Sequence, residues 1–525
     1  MKNSWKFLVI LPLLVFSQTC TAFAAPHPFN NDISIDTTQN TKSKTISDIG
    51  SRLELFVDES LIAKIERLEL RMHLPVKKEL VMVYDKPWEG SGSDFQVVFR
   101  DGDLFRMYYS AGQLTNTDGT KMGGHPNYGC YAESKDGIIW VKPDLGLFEF
   151  NGSKQNNIIW SMPHFDNFTP FKDQNPACKP DEQYKAVGAG VGGLFAFKSA
   201  DGIHWSYLSD KPVITNGKFD SQNNAFWDPI RKYYWCYFRD LHDINGNTTK
   251  DTKNGIRDIR VTTSADFLNW TDPVMIKFSD SADAALYTNQ IVPYYRAPHL
   301  FLGFPTQYVD RKFSAAAMQA LPDPDHRQKR MKFSPRFGTV ITNGLFMSSY
   351  DGSNFHRWDE VFIPAGPERK DNWVYGDGYQ SLGLLETPAE DASAAPELTF
   401  YAGEGHWKDS PRLRRYTIRM DGFVSVHARQ KPGELITKTL IFSGKALTLN
   451  FATSIAGSIR VELQDEGGKP IPGFSLSECD ELFGDALERV VNWNGNSNVG
   501  SLVGKRVRIH MVLCEADLYS LKFKE

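Results

Sequence analysis

The sequence predicts an all-β protein, a five-bladed β-propeller followed by a C-terminal antiparallel β-sandwich. The first observation is a repeated phrase, Ser-x-Asp-Gly-x-x-Trp, with copies at 134–140, 199–205 and 264–270 and looser copies at 349–355 and 419–423. The second is a pair of strand-like segments ahead of each copy, and the third is an alternating pattern near the C terminus. A strand-rich unit recurring every 65–85 residues or so indicates a propeller.

The repeated phrase itself is a turn. Its Asp and Gly suit a tight turn, in which Asp binds nearby backbone and Gly accepts a positive φ. Its Trp is expected to pack between blades. We therefore predict structural roles for one Asp in each copy, namely Asp136, Asp201, Asp266, Asp351 and Asp421.

Length and composition bound the number of domains and the partners. The chain has 525 residues, more than the roughly 250–300 at which one core stops growing, so at least two domains are expected. Aromatic residues make up 13% of the chain, which fits rings that stack on sugars and rings that fill β cores. The net charge of −4 argues against nucleic acid as a partner. The sequence leaves the oligomeric state open.

The N terminus predicts export. Lys2 and Lys6 precede an apolar run over 7–16, and 22–24 is a small-x-small cleavage signal. We expect a signal peptide over 1–25, a flexible leader over 26–52, and a secreted or periplasmic protein. A lipoprotein anchored through Cys20 is the less favoured alternative, because 17–19 makes a poor lipobox. No other segment is long and apolar enough to span a membrane.

Strand pairs fill the intervals between the repeats. The segments 95–99 and 104–109 flank Asp101-Gly102, a strong hairpin signal. Similar pairs precede the later copies. Four strands per unit and five units place the propeller domain at 53–425, with its blades beginning near residue 85. The further pairs are 224–227 with 233–238, 290–295 with 300–304, and 382–385 with 398–401.

The C-terminal region, 426–525, alternates with a period of two and predicts the β-sandwich domain. The mature chain would carry five cysteines without a CxxC pair, so no zinc or redox site is expected. Cys479 and Cys514 lie in this region. A disulfide between them and a pair of free thiols both stay open.

The predicted architecture, together with the phrase at 133–140, resembles the glycoside hydrolase clans that contain families 32, 43, 62, 68 and 117. The stretch 421–474 also resembles uncharacterised secreted bacterial proteins described as family-32-like. The resemblance covers about 55–525 and implies a carbohydrate substrate. The Asn-Asp-Pro-Asn-Gly, Arg-Asp-Pro and Glu-Cys signatures of invertase-like enzymes are missing, so no catalytic position is carried over.

Propeller geometry selects the candidate site residues instead. Each inner strand begins near the central pore on the ligand-binding face, and the second strand returns to that face. The repeated Asp turns lie on the opposite face and are excluded. The candidates at strand starts, at second-strand ends and in loops of the binding face are Asp94, Asp220, Asn289, Asp377, Arg239, Glu404, His125 and Asp173.

Paired carboxyl groups predict glycoside hydrolysis, which needs one protonated acid and one base or nucleophile. We expect Glu404 to be the general acid, Asp94 the base or nucleophile, and Asp220 an orienting carboxylate. Arg239 would bind a substrate carboxylate, sulfate or hydroxyl, and the other four candidates would contact substrate. Each has a structural alternative, such as a Glu404 pair with Arg414 or Arg415, or a capping role for Asp220.

Other functions also fit the pattern. A polysaccharide lyase could use His125, Tyr308 and Arg239, and a phosphorylase could use Arg239 and Arg311. A non-catalytic carbohydrate-binding propeller is the third alternative. We expect no required cofactor and no dedicated metal site. A structural Ca²⁺ on the pore axis would suit the converging carboxylates and carbonyls.

Overall fold

The computed structural model describes residues 46–115, 121–161, 166–252, 254–279, 281–312, 315–370, 372–408 and 410–525. The predicted signal peptide, Cys20 and the leader up to residue 45 lie outside these residues. The described chain is almost entirely β and forms a five-bladed propeller followed by a C-terminal β-sandwich, as predicted. Within the described ranges, none of the helices has the length and hydropathy that crossing a membrane requires.

Five short strands precede the first blade. The first four pair with strands from the C-terminal end of the chain, and the fifth pairs with the last blade. They are β1 (Ser47–Gly50), β2 (Glu54–Leu55), β3 (Ile62–Glu66), β4 (Leu68–Met72) and β5 (Val76–Val83).

The first three blades are four-stranded antiparallel sheets, each following the chain from the axis outwards. Blade 1 contains β6 (Asp94–Asp101), β7 (Leu104–Ala111), β8 (Tyr128–Ser134) and β9 (Ile158–Ser161). Blade 2 contains β10 (Asp166–Lys172), β11 (Tyr184–Gly190), β12 (Gly193–Ser199) and β13 (Ser206–Tyr207). Blade 3 contains β14 (Asn224–Asp228), β15 (Tyr233–His242), β16 (Ile256–Ser264) and β17 (Val274–Met275).

Blade 4 carries an insertion of hairpin and helices. Its sheet is built from β18 (Lys277–Phe278), β19 (Val292–Tyr294), β20 (Ala297–Gly303), β23 (Met347–Ser349) and β24 (Asn354–Arg357). Between β20 and β23 the chain forms β21 (Thr306–Asp310), α1 (Ala315–Ala320), α2 (Pro324–Met331), α3 (Arg336–Thr339) and β22 (Val340–Gly344). The sequence did not predict these helices.

Blade 5 closes the ring with a strand from the N-terminal side. It contains β25 (Leu385–Thr387), β26 (Glu397–Glu404) and β27 (Arg412–Arg419), and β5 pairs antiparallel with β27 as its outermost strand. Because the outer strand precedes blade 1 in the chain, the ring is fastened by hydrogen bonds between its two ends.

The repeated turns have the predicted structural role. In each of the first four copies the Asp carboxylate accepts two backbone N–H groups of its own turn, at 2.8 Å for both in the Asp136 copy. A tyrosine of a neighbouring blade also reaches three of these turns. The Tyr108 hydroxyl donates to Gly202 O at 3.0 Å, and the Tyr237 hydroxyl donates to Gly352 O at 2.7 Å. The turns therefore join adjacent blades.

The fifth copy is used differently. The Asp421 carboxylate accepts the Tyr294 hydroxyl at 2.6 Å and Arg296 Nε at 2.9 Å. Both partners come from blade 4, so this worn copy anchors the end of the propeller to its neighbouring blade rather than capping its own turn.

The C-terminal sandwich also contains the N-terminal strands. Its own strands are β28 (Val424–Ala428), β29 (Gly433–Thr437), β30 (Leu440–Phe442), β31 (Ala446–Asp465), β32 (Asp485–Val490) and β33 (Val507–Lys524). β2 pairs with β33, β3 with β29 and β4 with β28. We predicted that the propeller starts at residue 53, but this pairing places 54–72 in the sandwich. Alternation shows that a segment has a buried face without showing which sheet covers it.

All five cysteines in the described part of the chain are free thiols. Of the two alternatives left open for Cys479 and Cys514, the structure has the free thiols.

Candidate active site

A cavity of about 210 Å³ lies where the five blades converge, on the face at which the inner strands begin. Every blade contributes to it: Asp94 from blade 1, Asp166 from blade 2, Asp220 before blade 3, Tyr287 before blade 4 and Tyr379 before blade 5. Other polar and aromatic side chains complete the walls, among them Ser110, Asn127, Arg336, His406, Phe95, Phe337, Tyr375 and Trp407.

Asp94 and Asp166 are positioned by the same local backbone conformation. Each is the first residue of an inner strand, and the residue after each has a positive φ of 54°, at Phe95 and at Asn167. The strand register shifts within the next few residues in both blades. Such bulges bend a strand and redirect a side chain, and they persist where the surrounding fold enforces them.

Among the residues that the structure describes, none gives the Asp94 carboxyl group a cationic partner. Burial raises its pKa well above the usual range, and the nearby Asp166 raises it further. Its Oδ2 lies 3.9 Å from His406 Nδ1, but burial lowers the pKa of His406 to about 3, with a further decrease from Arg330. Burial therefore favours the neutral form of both groups, a carboxylic acid beside a neutral imidazole.

Asp166 is a site residue that the sequence analysis missed. Burial raises its pKa to about 6, against hydrogen bonds from the Asn167 backbone N–H at 2.9 Å and Asn127 Nδ2 at 3.3 Å. The first strand of blade 2, β10, begins at Asp166, ahead of the predicted candidate Asp173. An Asp ahead of an apolar strand, as at Asp94, was the signal that could have identified it.

Asp220 lines the cavity as an ionised carboxylate. Burial favours a higher pKa, but the charge and the hydrogen bond of Arg239 outweigh burial and hold the pKa below its usual range. Its side chain is 73% exposed. The Arg239 guanidinium also stacks on Tyr287, with Cζ at 4.9 Å from the ring centroid. Asp240, which follows Arg239 in the chain, pairs with Arg260 at 3.0 Å.

Glu404 lies outside the cavity, and its surroundings contradict the general-acid role that we predicted. Arg414 makes a bidentate interaction with the Glu404 carboxylate at 2.7 and 3.1 Å. Lys77 and Arg369 also lie near this carboxylate, at 2.7 Å and 3.0 Å. Burial favours a higher pKa, but these cations hold the pKa below its usual range. The physical reason is strand register: Ala402 pairs with Arg414, which makes Arg414 a diagonal neighbour of Glu404 on the same sheet face.

Asn289 and Asp377 are both buried and do not line the cavity. Asn289 Nδ2 donates to Gln222 O at 3.2 Å and to Tyr237 O at 3.4 Å, so it fastens blade 4 to blade 3. Asp377 accepts the His406 backbone N–H at 3.2 Å, and burial raises its pKa to about 8. Their roles are to support the walls, whereas we predicted substrate contacts.

His125 and Asp173 also lie away from the cavity lining. His125 stacks on Tyr128 with ring centroids 5.3 Å apart, and its Nδ1 lies 2.7 Å from Pro126 O. Asp173 follows the far end of β10, where the Tyr234 hydroxyl donates to it at 2.7 Å and Lys185 pairs with it. Because β10 runs away from the cavity, Asp173 is on the opposite face to the one we predicted.

Amide side chains converge beneath the cavity. Gln290 Nε2 donates to Gln222 Oε1, and Gln222 Nε2 donates to Phe95 O at 3.1 Å. Across the described ranges, no group of three or more His, Cys, Asp or Glu side chains has the arrangement of a metal site. The structural Ca²⁺ stays a prediction.

The chain has low similarity to several solved structures. One is an N-acetylgalactosamine deacetylase from F. plautii, at 13% identity over 66% of this chain and 94% of that chain, with a TM-score of 0.40. Another is a family 32 β-fructofuranosidase from Bombyx mori, at 8% identity over 86% and 94%, with a TM-score of 0.38. A third is a family 43 arabinoxylan arabinofuranohydrolase from Bacillus subtilis, at 11% identity over 83% and 96%, with a TM-score of 0.35.

No family model and no curated protein matches the chain.

Proposed function

We propose that the protein is a secreted or periplasmic glycoside hydrolase and that the axial cavity is its active site. One observation carries the proposal: three carboxyl groups from three blades share one aromatic-walled cavity, and their surroundings drive their pKa values apart. Pairs of carboxyl groups with opposed environments are the arrangement that acid–base glycoside hydrolysis uses.

The environments suggest a role for each group. Asp220, ionised beside Arg239, serves as the base or nucleophile. Asp94, protonated by burial, serves as the general acid, and Asp166 between them adjusts its pKa. These roles differ from those expected from the sequence, in which Glu404 was the general acid, Asp94 the base or nucleophile and Asp220 the orienting carboxylate. A protonated carboxyl at neutral pH can give its proton to the leaving oxygen, whereas an ionised one cannot.

The size of the cavity favours a short substrate segment. At about 210 Å³ it falls below the roughly 300–1,000 Å³ typical of sites for drug-sized ligands. Phe95 and Tyr379 stack at 5.9 Å on one wall, and Tyr287 stacks on Tyr379 at 5.5 Å. We infer that the site takes one terminal sugar ring between aromatic faces, and hence that the enzyme removes terminal residues from plant or algal oligosaccharides.

A substrate screen with four matched proteins tests the proposal. The wild type, Asp94→Asn, Asp220→Asn and Glu404→Gln are assayed on aryl glycosides and on plant and algal oligosaccharides. Loss of an acid or base costs about 10²–10⁴-fold in rate, so the two Asp variants lose turnover and Glu404→Gln keeps it. The opposite pattern contradicts the assignment. An unsaturated product absorbing in the ultraviolet would identify a lyase, and sugar binding without turnover by the wild type would identify a binding propeller.

A further inference from the structure

A guanidinium from the blade 4 insertion, that of Arg336 in α3, lines the axial cavity. Its Cζ lies 4.9 Å from the ring centroid of Phe337, which lines the same cavity. Contact with an aromatic face positions a guanidinium without using its N–H donors. The stacking on Phe337 therefore fixes Arg336 at the cavity wall and leaves its donors to other partners.

The groups that act most strongly on Arg336 are phenols. Burial acts to lower the pKa of Arg336, but a hydrogen bond with the Tyr308 hydroxyl and the proximity of Tyr375 and Tyr287 outweigh burial and raise this pKa. A phenol is uncharged at neutral pH, so it does not balance the charge of a guanidinium. A guanidinium also has more N–H donors than one hydroxyl can accept.

Two further arginines add positive charge to the same wall. Arg239 stacks on Tyr287, and Arg257 Cζ lies 4.0 Å from the ring centroid of Tyr308 and 6.0 Å from that of Tyr287. Of these three guanidinium groups, only that of Arg239 forms an ion pair with a carboxylate of the described residues, namely Asp220. The wall therefore carries three cations and one paired acid.

Other acids near this wall are engaged elsewhere. Asp258 follows Arg257 in β16, so its side chain points to the other face of the strand, where its Oδ2 lies 3.6 Å from His242 Nε2. Asp310, at the end of β21, pairs with Lys312 at 3.0 Å. The remaining acids of the cavity lining, Asp94 and Asp166, come from blades 1 and 2.

We propose that the ligand of the axial cavity is an acidic sugar, whose carboxylate or sulfate group binds Arg336. An oxyanion supplies both the acceptors and the counter-charge that phenols lack, and a guanidinium offers it paired N–H donors. A neutral sugar supplies hydroxyl groups only. This inference rests on the proposed function and narrows its substrate to oligosaccharides that end in a uronate or a sulfated sugar.

Titration calorimetry with monosaccharides tests the site without a glycosidic bond to cleave. Galacturonate and glucuronate probe a carboxylate, galactose 6-sulfate probes a sulfate, and galactose and glucose are the neutral controls. A hydrogen bond to a charged group is worth about 10–100-fold in affinity. We therefore expect at least one acidic sugar to bind about tenfold or more tightly than its neutral counterpart, and the sugar that binds identifies the anion. Equal affinities, or no binding of any acidic sugar, overturn the proposal.

Arg336→Met removes the cation and abolishes the preference for the acidic sugar. Arg311→Met, which removes an exposed arginine of the same insertion, retains it. Arg336→Lys keeps the charge and loses the paired donors, so it weakens binding of the acidic sugar several-fold, and it serves if Arg336→Met does not fold. An unchanged preference in Arg336→Met, unchanged affinity in Arg336→Lys, or a soaked crystal with the anionic group away from Arg336 contradicts the proposal.

The acidic-sugar site and the hydrolase assignment can fail separately. Preferential binding of an acidic sugar, together with no turnover of any glycoside, would overturn the hydrolase and support the site. Turnover of neutral aryl glycosides, together with no preference for acidic sugars, would support the hydrolase and overturn the site.

Discussion

The Arg239→Met substitution tests whether one ion pair sets the protonation of the candidate base. Arg239 is the cation that pairs with Asp220. Removing Arg239 takes away both a charge and a hydrogen bond that lower the pKa of Asp220, so this pKa rises. Two unit charges about 4 Å apart attract by roughly 1 kcal/mol in water and roughly 4 kcal/mol near a protein surface. Because the Asp220 side chain is 73% exposed, the lower part of this range applies.

A loss of that size corresponds to about one pKa unit, at 1.36 kcal/mol per unit. A base with a raised pKa is protonated at higher pH, so the acid limb of the kcat/KM profile moves upwards by about one unit. The assay is the pH–rate profile on the substrate that the screen identifies. Arg260→Met, which breaks the neighbouring Asp240 pair outside the cavity, is the control and leaves the limb in place. An unmoved limb in Arg239→Met would refute the reasoning.

Three further predictions concern stability. Gly202→Ala lowers the melting temperature more than Gly102→Ala does. Both glycines have a positive φ, 78° at Gly202 and 63° at Gly102. A Cβ atom at 202 would lie 2.7 Å from the Tyr108 hydroxyl, whereas one at 102 would have no neighbour within 4 Å. Equal losses would show that the interblade contact is unimportant. Glu404→Gln lowers the melting temperature at neutral pH. The depressed pKa of Glu404 stabilises the folded protein at pH values above the pKa of this residue in the unfolded chain. The difference in melting temperature between the variant and the wild type therefore shrinks as the pH falls through the pKa of Glu404 in the folded protein. A difference that stays constant with pH would contradict this reasoning. Dithiothreitol leaves the melting temperature unchanged, because the described cysteines are free; a decrease would reveal a disulfide.

The propeller could be predicted because each repeated turn is stabilised by hydrogen bonds between residues that are close in the sequence. In the first four copies the Asp binds its own turn and the next residue has a positive φ, and counting these copies together with the fifth, worn one counts the blades. The partners of β1 to β4 were not predictable. Their alternation indicates strands, but the choice of sheet depends on residues more than 350 positions away, as in the register of Glu54 with Leu521.

Part of the candidate site could be predicted for the same reason. The strand-start rule identified Asp94 and Asp220, which share the cavity. It missed Asp166 because β10 includes a bulge at Asn167 and so begins before the apolar residues of the strand. The second-strand ends supplied Glu404 as a candidate. Neighbouring residues of a strand point to opposite faces of the sheet, so a change of one residue in register turns a side chain to the other face. No local sequence pattern shows this register.

The pairing of β2 with β33 has a consequence for how the chain is made. A nascent domain that emerges first usually folds first. Here β1, β3 and β4 stay without partners until β30, β29 and β28 have been synthesised, and β2 waits for β33. A truncated chain that ends after blade 5 would therefore expose the unpaired edges of four strands. Such edges are templates for aggregation, so removing 426–525 is expected to yield insoluble protein rather than an isolated propeller.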